Sequence, residues 1–252
     1  MVELNEYGEV FSKVYDRYWN EFLEIIAPQI KIIYTKMGYN GKILDLCCGT
    51  GRLVKYLSNQ NISVIGIDKS RYMLEIAKKR NLIGIQSNKV ELIEQDAVSF
   101  SVESKMCMVV SVFDSMNHIK DMTDLERCFI NVRNSLEEGG VFLFDLNTKK
   151  GLIKWKFIDI EVDDDLVLIM HGDYKEGNKR AYTQVFGFIK GEGNCYQKFD
   201  ETMYNTIFSI QDVIALLKGL GWSEVYCTKE DNMELQLENP ENYDRVFIIA
   251  KL

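Results

Sequence analysis

Asp45, Asp68 and Asp96 are the residues whose types and spacing can do chemistry together. Each stands at or just past the carboxyl end of a short apolar run, where an α/β sheet places its ligands. Asp45 leads into Cys47-Cys48-Gly49-Thr50-Gly51-Arg52, a tight turn. Glycine there leaves no Cβ to hold a ligand off the backbone, so Gly49 and Gly51 both read as lying against one. The helix that follows aims its free N–H groups over the same turn. Asp68 suits both hydroxyls of a ribose; the plainer alternative is a solvated turn aspartate. Asp96, in Gln95-Asp96-Ala97, suits the amino group of an adenine, with the Ala97 amide toward a ring nitrogen. Val54 stands where G-x-G-x-x-G needs its third glycine, and no Lys-Ser/Thr of a P-loop follows. Dinucleotides and triphosphates are therefore disfavoured, and a nucleoside with a small charged tail is favoured.

The elements that must position these residues are legible from periodicity. Strands over 42–46, 63–68, 90–94, 106–112 and 141–145 alternate with helices, the last strand entered through a Gly139-Gly140 turn. Ser70 reads as the N-cap of the helix carrying Met73, Leu74 and Ala77. Strict alternation implies a parallel sheet with right-handed crossovers. Residues 1–40 read as two helices: Tyr7, Val10, Phe11, Val14, Tyr15 and Tyr18 recur at threes and fours, and Pro28 marks a kink or a first turn. Between 156 and 204 the helical period vanishes. Four β-rich runs, 157–162, 166–174, 182–189 and 195–203, predict an inserted antiparallel sheet. A helix capped by Ser209 and two strands, 225–229 and 245–250, close the chain. The organisation expected is 1–40, then 41–150 with 206–252 as the α/β domain, and 151–205 as the insert.

Composition excludes several classes. The chain has 252 residues, is 46% hydrophobic, and carries a formal charge of −8. That surface offers no footprint for a nucleic-acid backbone. Cys47, Cys48, Cys107, Cys128, Cys195 and Cys227 form no C-x-x-C pair, and His118 and His171 lie far apart. They read as free thiols in a reducing compartment, with no metal site. Cys47 and Cys48 read as small residues packing the turn. Glu3, Glu6 and Glu9 break any leader-like apolar run. No uncharged run approaches the ~18–20 residues of a membrane helix. The expectation is a cytoplasmic protein, monomer or homodimer, with no membrane partner.

The runs Ile-Leu-Asp-Leu-Cys-Cys-Gly-Thr-Gly, Gly-Ile-Asp-Lys-Ser with Met-Leu-Glu-Ile-Ala, and Gln-Asp-Ala resemble the class I S-adenosylmethionine-dependent methyltransferases. Cys47 replaces the first glycine of that family's D-x-G-x-G-x-G. The resemblance implies a Rossmann-like, seven-stranded, mostly parallel sheet whose last strand is antiparallel. Tyr7 through Trp19 resembles the helical lid of the small-molecule subgroup, such as the aminosugar and glycine N-methyltransferases. Phe113 through Ile119 resembles their loop after strand four, and Tyr196 through Glu201 their inserted sheet.

Roles follow from that resemblance. Gly49, Gly51 and Cys47 lie against the methionine part of S-adenosylmethionine. Asp45 supports the loop or receives the ammonium, and Asp68 takes the ribose. Lys69 and Met73 border the adenine, and Asp96 and Ala97 read its edge. Phe113 closes over the sulfonium, and Tyr15 reaches the carboxylate tail. Tyr7, Phe11, Asp114, His118, Asn147, Tyr196 and Tyr204 are assigned to the acceptor. The plainer reading of the lid aromatics is core, with a cation-facing lid as the functional one. His118 is the candidate base, against a role as a loop hydrogen-bonder. The implied activity is methyl transfer to nitrogen or oxygen of a small molecule. Protein or RNA methylation, a non-catalytic binding module and a nicotinamide dehydrogenase are the alternatives.

Overall fold

The computed structural model describes residues 7–19, 21–191, 193 and 195–252. Two helices lead: α1 (Glu9–Tyr18) and α2 (Glu21–Lys36). The alternating section follows as β1 (Ile43–Leu46), α3 (Arg52–Asn59), β2 (Val64–Asp68), α4 (Arg71–Arg80), α5 (Leu82–Gln86), β3 (Val90–Glu94), β4 (Met106–Ser111), α6 (Met122–Ser135) and β5 (Leu136–Asn147). After the short α7 (Lys149–Leu152) come β6 (Phe157–Val162), β7 (Leu166–Asp173), β8 (Arg180–Lys190) and β9 (Tyr196–Thr206). The chain ends with α8 (Ile210–Gly219), β10 (Glu224–Thr228) and β11 (Arg245–Lys251).

The main sheet has the order β10-β11-β5-β4-β1-β2-β3. It is parallel except for β11, which runs antiparallel to both β5 and β10. β1 pairs with β2 on one side and β4 on the other, so the strand order reverses beside it. That reversal opens a crevice over its carboxyl end, which is where Asp45 and the glycine turn lie. Alternation splits the strands between two cores. Leu44, Leu46, Phe142 and Phe144 pack on one face; Ile43, Val110, Val141 and Leu143 pack on the other. β4 is buried along its whole length, as its unbroken apolar run requires.

The inserted sheet is a meander, β6-β7-β8-β9, antiparallel throughout. Leu166, Leu168, Val185 and Phe199 on its inner face pack against Phe11 and Val14 of α1. The insert thus holds the lid by burial of apolar surface.

Local details depart from periodicity. Gly139-Gly140 lies inside β5 rather than before it. Leu136 pairs with Met106 and Val141 with Met108, so residues 137–140, with Gly139 at φ +74, loop out of the β4–β5 register as a wide bulge that turns the chain within the strand. Pro28 sits in mid-helix in α2, which leaves the kink and excludes the first turn of the two positions expected for it. α5 and α7 are too short for a hydrophobic period to announce.

Candidate active site

The glycine turn is built by three left-handed residues and held by an acid. Gly49 has φ +52 and Gly51 φ +70; Cys47, at φ +63, adopts the same region without being glycine. Asp68 Oδ2 accepts from the Gly49 N–H and Oδ1 from the Ser70 N–H, both at 2.8 Å. The end of β2 therefore positions the loop after β1 directly. A Cβ on Gly49 would meet nothing nearer than the Tyr15 ring at 3.9 Å, so this glycine faces open space. Gly51 does not. A Cβ there would lie 2.8 Å from Ala77 Cβ and 2.7 Å from Asn81 Nδ2, both belonging to or capping α4. Its side faces helix packing rather than a ligand, which corrects the expectation from the motif.

The lid is fastened at both ends. Glu201 on β9 accepts from the Tyr7 N–H at 2.7 Å and the Gly8 N–H at 2.8 Å, ahead of α1. Ser70 Oγ donates to Tyr7 O at 2.8 Å, so residue 7, at φ +61, is tied to the insert and to the end of β2. Further along α1, Arg80 Nη2 donates to both carboxylate oxygens of Asp16 (2.7 and 2.9 Å), and the Arg52 guanidinium pairs with Asp16 as well. Arg80 also donates to Thr50 Oγ1 at 2.9 Å, linking lid, turn and α4.

Between these parts lies a cavity of about 250 Å³. Tyr15, Cys47, Gly49, Asp68, Lys69, Met73, Asp96, Ala97 and Phe113 line it, together with Tyr7 and His118. A second space of about 70 Å³ adjoins it through Tyr15, Cys47, Gly49 and Phe113, and is lined further by Asp45 and Arg52. The structure thus brings every cofactor candidate but Gly51 to two adjoining spaces. The Tyr7 hydroxyl stands 3.5 Å from His118 Nε2. Ser115, Ile119 and Lys120, which no motif marked, also line the larger space.

Five acceptor candidates lie elsewhere. Phe11 is buried between α1 and the insert, its ring 6.3 Å from that of Phe199. Tyr196 is 54% exposed and donates to Asp164 O at 3.2 Å, at the far end of β9. Tyr204 lies under the Arg180 guanidinium, 4.9 Å from its ring centre. Asn147 is buried and its backbone N–H donates to Asn117 Oδ1 at 2.8 Å. Asp114 is held by other protein groups: it pairs with Arg245 at 2.9 Å and accepts from Asn205 at 2.8 Å. An acceptor amine would have to displace that cation.

The Asp114 cluster has a positioning effect. Arg245 also pairs with Asp145 at 2.6 Å, and Asp145 receives the Asp114 N–H at 3.0 Å. Phe113 and Asp114 both take positive φ, +73 and +48. The cluster holds that costly turn, with the Arg245 guanidinium 6.0 Å from the Phe113 ring centre. Phe113 is thereby kept facing the cavity.

Electrostatics separate the two spaces. Burial, and then the adjacent Asp68, pushes Asp45 up to about 8. Asp45 Oδ2 and Arg52 Nε are buried with no hydrogen-bond partner among the described residues. An orphan acceptor and an orphan donor on residues lining one small space match the ammonium and carboxylate of an amino acid. The larger space has Asp68 and Asp96 for a nucleoside. The residues present therefore fit S-adenosylmethionine. Burial also holds the Cys47 and Cys48 thiols well above their ordinary range, so neither is a thiolate nucleophile. Among the described residues no three His, Cys, Asp or Glu side chains gather as a metal site. No described helix is long and apolar enough to cross a membrane.

A family model described as a methyltransferase domain matches residues 43–140. The chain carries a class I S-adenosylmethionine-dependent methyltransferase domain. Its relatives include a putative methyltransferase, YqeM, of Bacillus subtilis (strain 168), 27% identical over 221 residues, 86% of this chain and 83% of that protein. In fold, this methyltransferase is similar to an S-adenosylmethionine-dependent methyltransferase from Clostridium acetobutylicum ATCC 824: TM-score 0.80, 24% identity, 96% of this chain and 98% of that one. It is also similar to the sugar N-methyltransferase KedS8 from Streptoalloteichus sp ATCC 53650: TM-score 0.75, 17% identity, 97% and 93% covered. S-adenosylmethionine is the methyltransferase's cofactor.

Proposed function

We propose that this methyltransferase transfers the methyl group of S-adenosylmethionine to a nitrogen or oxygen of a small molecule in the cytoplasm. The observation that carries this reading is the covered cavity: a lid fastened by Glu201 and Asp16 over a space lined by Tyr7 and His118. A space of that kind suits an acceptor that enters whole, and suits a polymer poorly. The fold-level likeness to a sugar N-methyltransferase supports the same class.

When bound, the cofactor supplies a methyl already activated on a sulfonium. Asp68 and Asp96 hold its nucleoside, and Asp45 with Arg52 its amino-acid tail. Gly49 leaves room for the chain between them. Tyr15 and Phe113 wall the space with aromatic rings, whose faces favour a cation and whose bulk excludes water. Burial, then Asp114 and Asp68, holds the Tyr15 phenol above its ordinary range, so it remains a neutral hydroxyl. Orientation and water exclusion carry much of such a displacement. His118 Nε2 takes the acceptor's proton where the acceptor arrives protonated, with Tyr7 beside it.

The test is release of S-adenosylhomocysteine with a panel of small amines, phenols and acids. His118→Ala should lower turnover by about 10²–10⁴-fold with an acceptor that needs a base, while leaving cofactor affinity unchanged. Turnover of protein or RNA alone would refute the small-molecule reading.

A further inference from the structure

Across Ile119 and Lys120 from the cofactor cavity lies an open groove of about 890 Å³, to which no role has been given above. Lys120 lines both spaces, so they share a wall. Thr206 Oγ1 donates to Ile119 O at 2.6 Å and fixes that wall.

The groove gathers cations in a chain whose formal charge is −8. Lys120, Lys149, Lys179 and Arg180 come to it from four stretches: the end of the β4 loop, α7, the turn before β8, and β8 itself. Among the described residues, Lys149, Lys179 and Arg180 have no carboxylate within salt-bridge distance. Arg180 is set in place by stacking over Tyr204, and its Nε lies out of solvent with no acceptor among the described residues. Three acids also line the groove; Asp121 stands 4.0 Å from Lys120, and two of the three accept backbone N–H groups. Asp121 caps α6 by accepting from the Asp124 N–H at 3.0 Å, and Glu241 accepts from Ile210 N–H, the first residue of α8, at 2.7 Å. Solvated surface lysines need no such arrangement. A fixed guanidinium with an unmet donor, flanked by unpaired ammonium groups in a concavity, is the arrangement that takes an oxyanion.

We infer that this groove binds the phosphate or carboxylate group of the methyl acceptor, so that the acceptor is an anionic small molecule whose other end reaches past Lys120 to the methyl. The assignment rests on the methyl-transfer reading above. Its two parts, an oxyanion site and the acceptor as its source, separate by experiment.

The first probe is inorganic pyrophosphate, titrated by calorimetry into the S-adenosylhomocysteine-bound protein. Saturable binding is expected, weakened about tenfold or more in Lys179→Gln/Arg180→Gln, the loss of at least one charge-assisted pair. Lys149→Gln, at an exposed position at the start of α7, keeps the test sound if the double variant loosens the insert, and should weaken binding severalfold. Affinity for S-adenosylhomocysteine should not change in either variant. Absence of saturable binding, or equal binding by wild type and both variants, overturns the site. Loss of S-adenosylhomocysteine binding in the wild type would instead undo the methyl-transfer reading.

The second arm compares inorganic phosphate with phosphoethanolamine under the same conditions. Tighter binding of the organic monoester is expected, because its amine end reaches past Lys120 into the cavity that His118 and Asp124 line. Equal or weaker binding assigns the groove to free phosphate and overturns its role in holding the acceptor.

Discussion

Asp45 is the side chain whose state depends most on what is bound beside it. Its ordinary value in an unfolded chain is about 3.9, and burial with Asp68 nearby raises it to about 8 in the fold. Between those values the folded state holds a proton that the unfolded state lacks. The stability this group contributes is complete below about pH 4 and is lost as pH rises through 8. Pairing with a cofactor ammonium requires the carboxylate, so binding expels that proton. Affinity for S-adenosylhomocysteine is therefore expected to rise between pH 6 and 8, by up to roughly tenfold per unit, and to level off above. Calorimetry in buffers of different ionisation enthalpy measures the released proton. In Asp45→Asn both the release and the pH slope should vanish; a slope that persists places the proton elsewhere.

Gly49 and Gly51 separate ligand contact from packing. Gly51→Ala drives a methyl into Ala77 and Asn81 and forces a left-handed residue. It should cost about 2–4 kcal/mol of stability, read by denaturant unfolding. Gly49→Ala meets no neighbour closer than 3.9 Å. It should cost only about 1 kcal/mol of stability while weakening cofactor binding. The opposite ranking would mean that the turn faces the other way.

At the scale of elements, the site depends on ties that join distant parts of the chain. Arg245 on β11 holds Asp114 and Asp145, and through them the left-handed turn that aims Phe113. Arg245→Met leaves two buried carboxylates uncompensated and should cost about 3–5 kcal/mol. A cofactor affinity reduced along with stability, measured at a temperature where the variant remains folded, would show the turn moving with its support. Glu201→Gln keeps an acceptor oxygen but loses the charged pair of contacts to the lid. Amide exchange across α1 should quicken in this variant and slow again with S-adenosylhomocysteine. Unchanged exchange would mean that apolar burial alone holds the lid.

Those ties also explain what was legible beforehand. Short apolar runs and turn residues specify strands and helices locally, so β3 and β6 lie where periodicity put them. The Asp cluster was legible because successive parallel strands end on one edge. Asp16–Arg80, Glu201–Tyr7 and Arg245–Asp114 lie 64, 194 and 131 positions apart. No local pattern marks such pairs. Tyr196 fails for a related reason: its motif was recognisable, but only the finished sheet decides which end of β9 meets the cavity. Gly51 was read from the motif as a ligand contact, whereas α4, packed behind it, uses the space.

At the scale of the whole molecule, lid, sheet and insert close on one another over the cavity. A ligand bound there touches the lid and the strand ends of the main sheet, while the insert packs behind the lid, so it should stabilise the fold as a unit. At about 100 times its dissociation constant, S-adenosylhomocysteine should add about 2.7 kcal/mol, seen as a rise in Tm. Lys149, Lys179 and Arg180 bring unpaired cations of an acidic chain to one groove beside that cavity, which sets the charge expected of the acceptor under the inference above. The most direct test of the central claim, that the Asp68 crevice holds the cofactor, is a calorimetric titration of S-adenosylhomocysteine into wild type and Asp68→Ala. One-site binding by the wild type is expected, with a loss of about a hundredfold in the variant, roughly two charge-assisted hydrogen bonds. No binding by the folded wild type, or equal affinity in the two proteins, would contradict it.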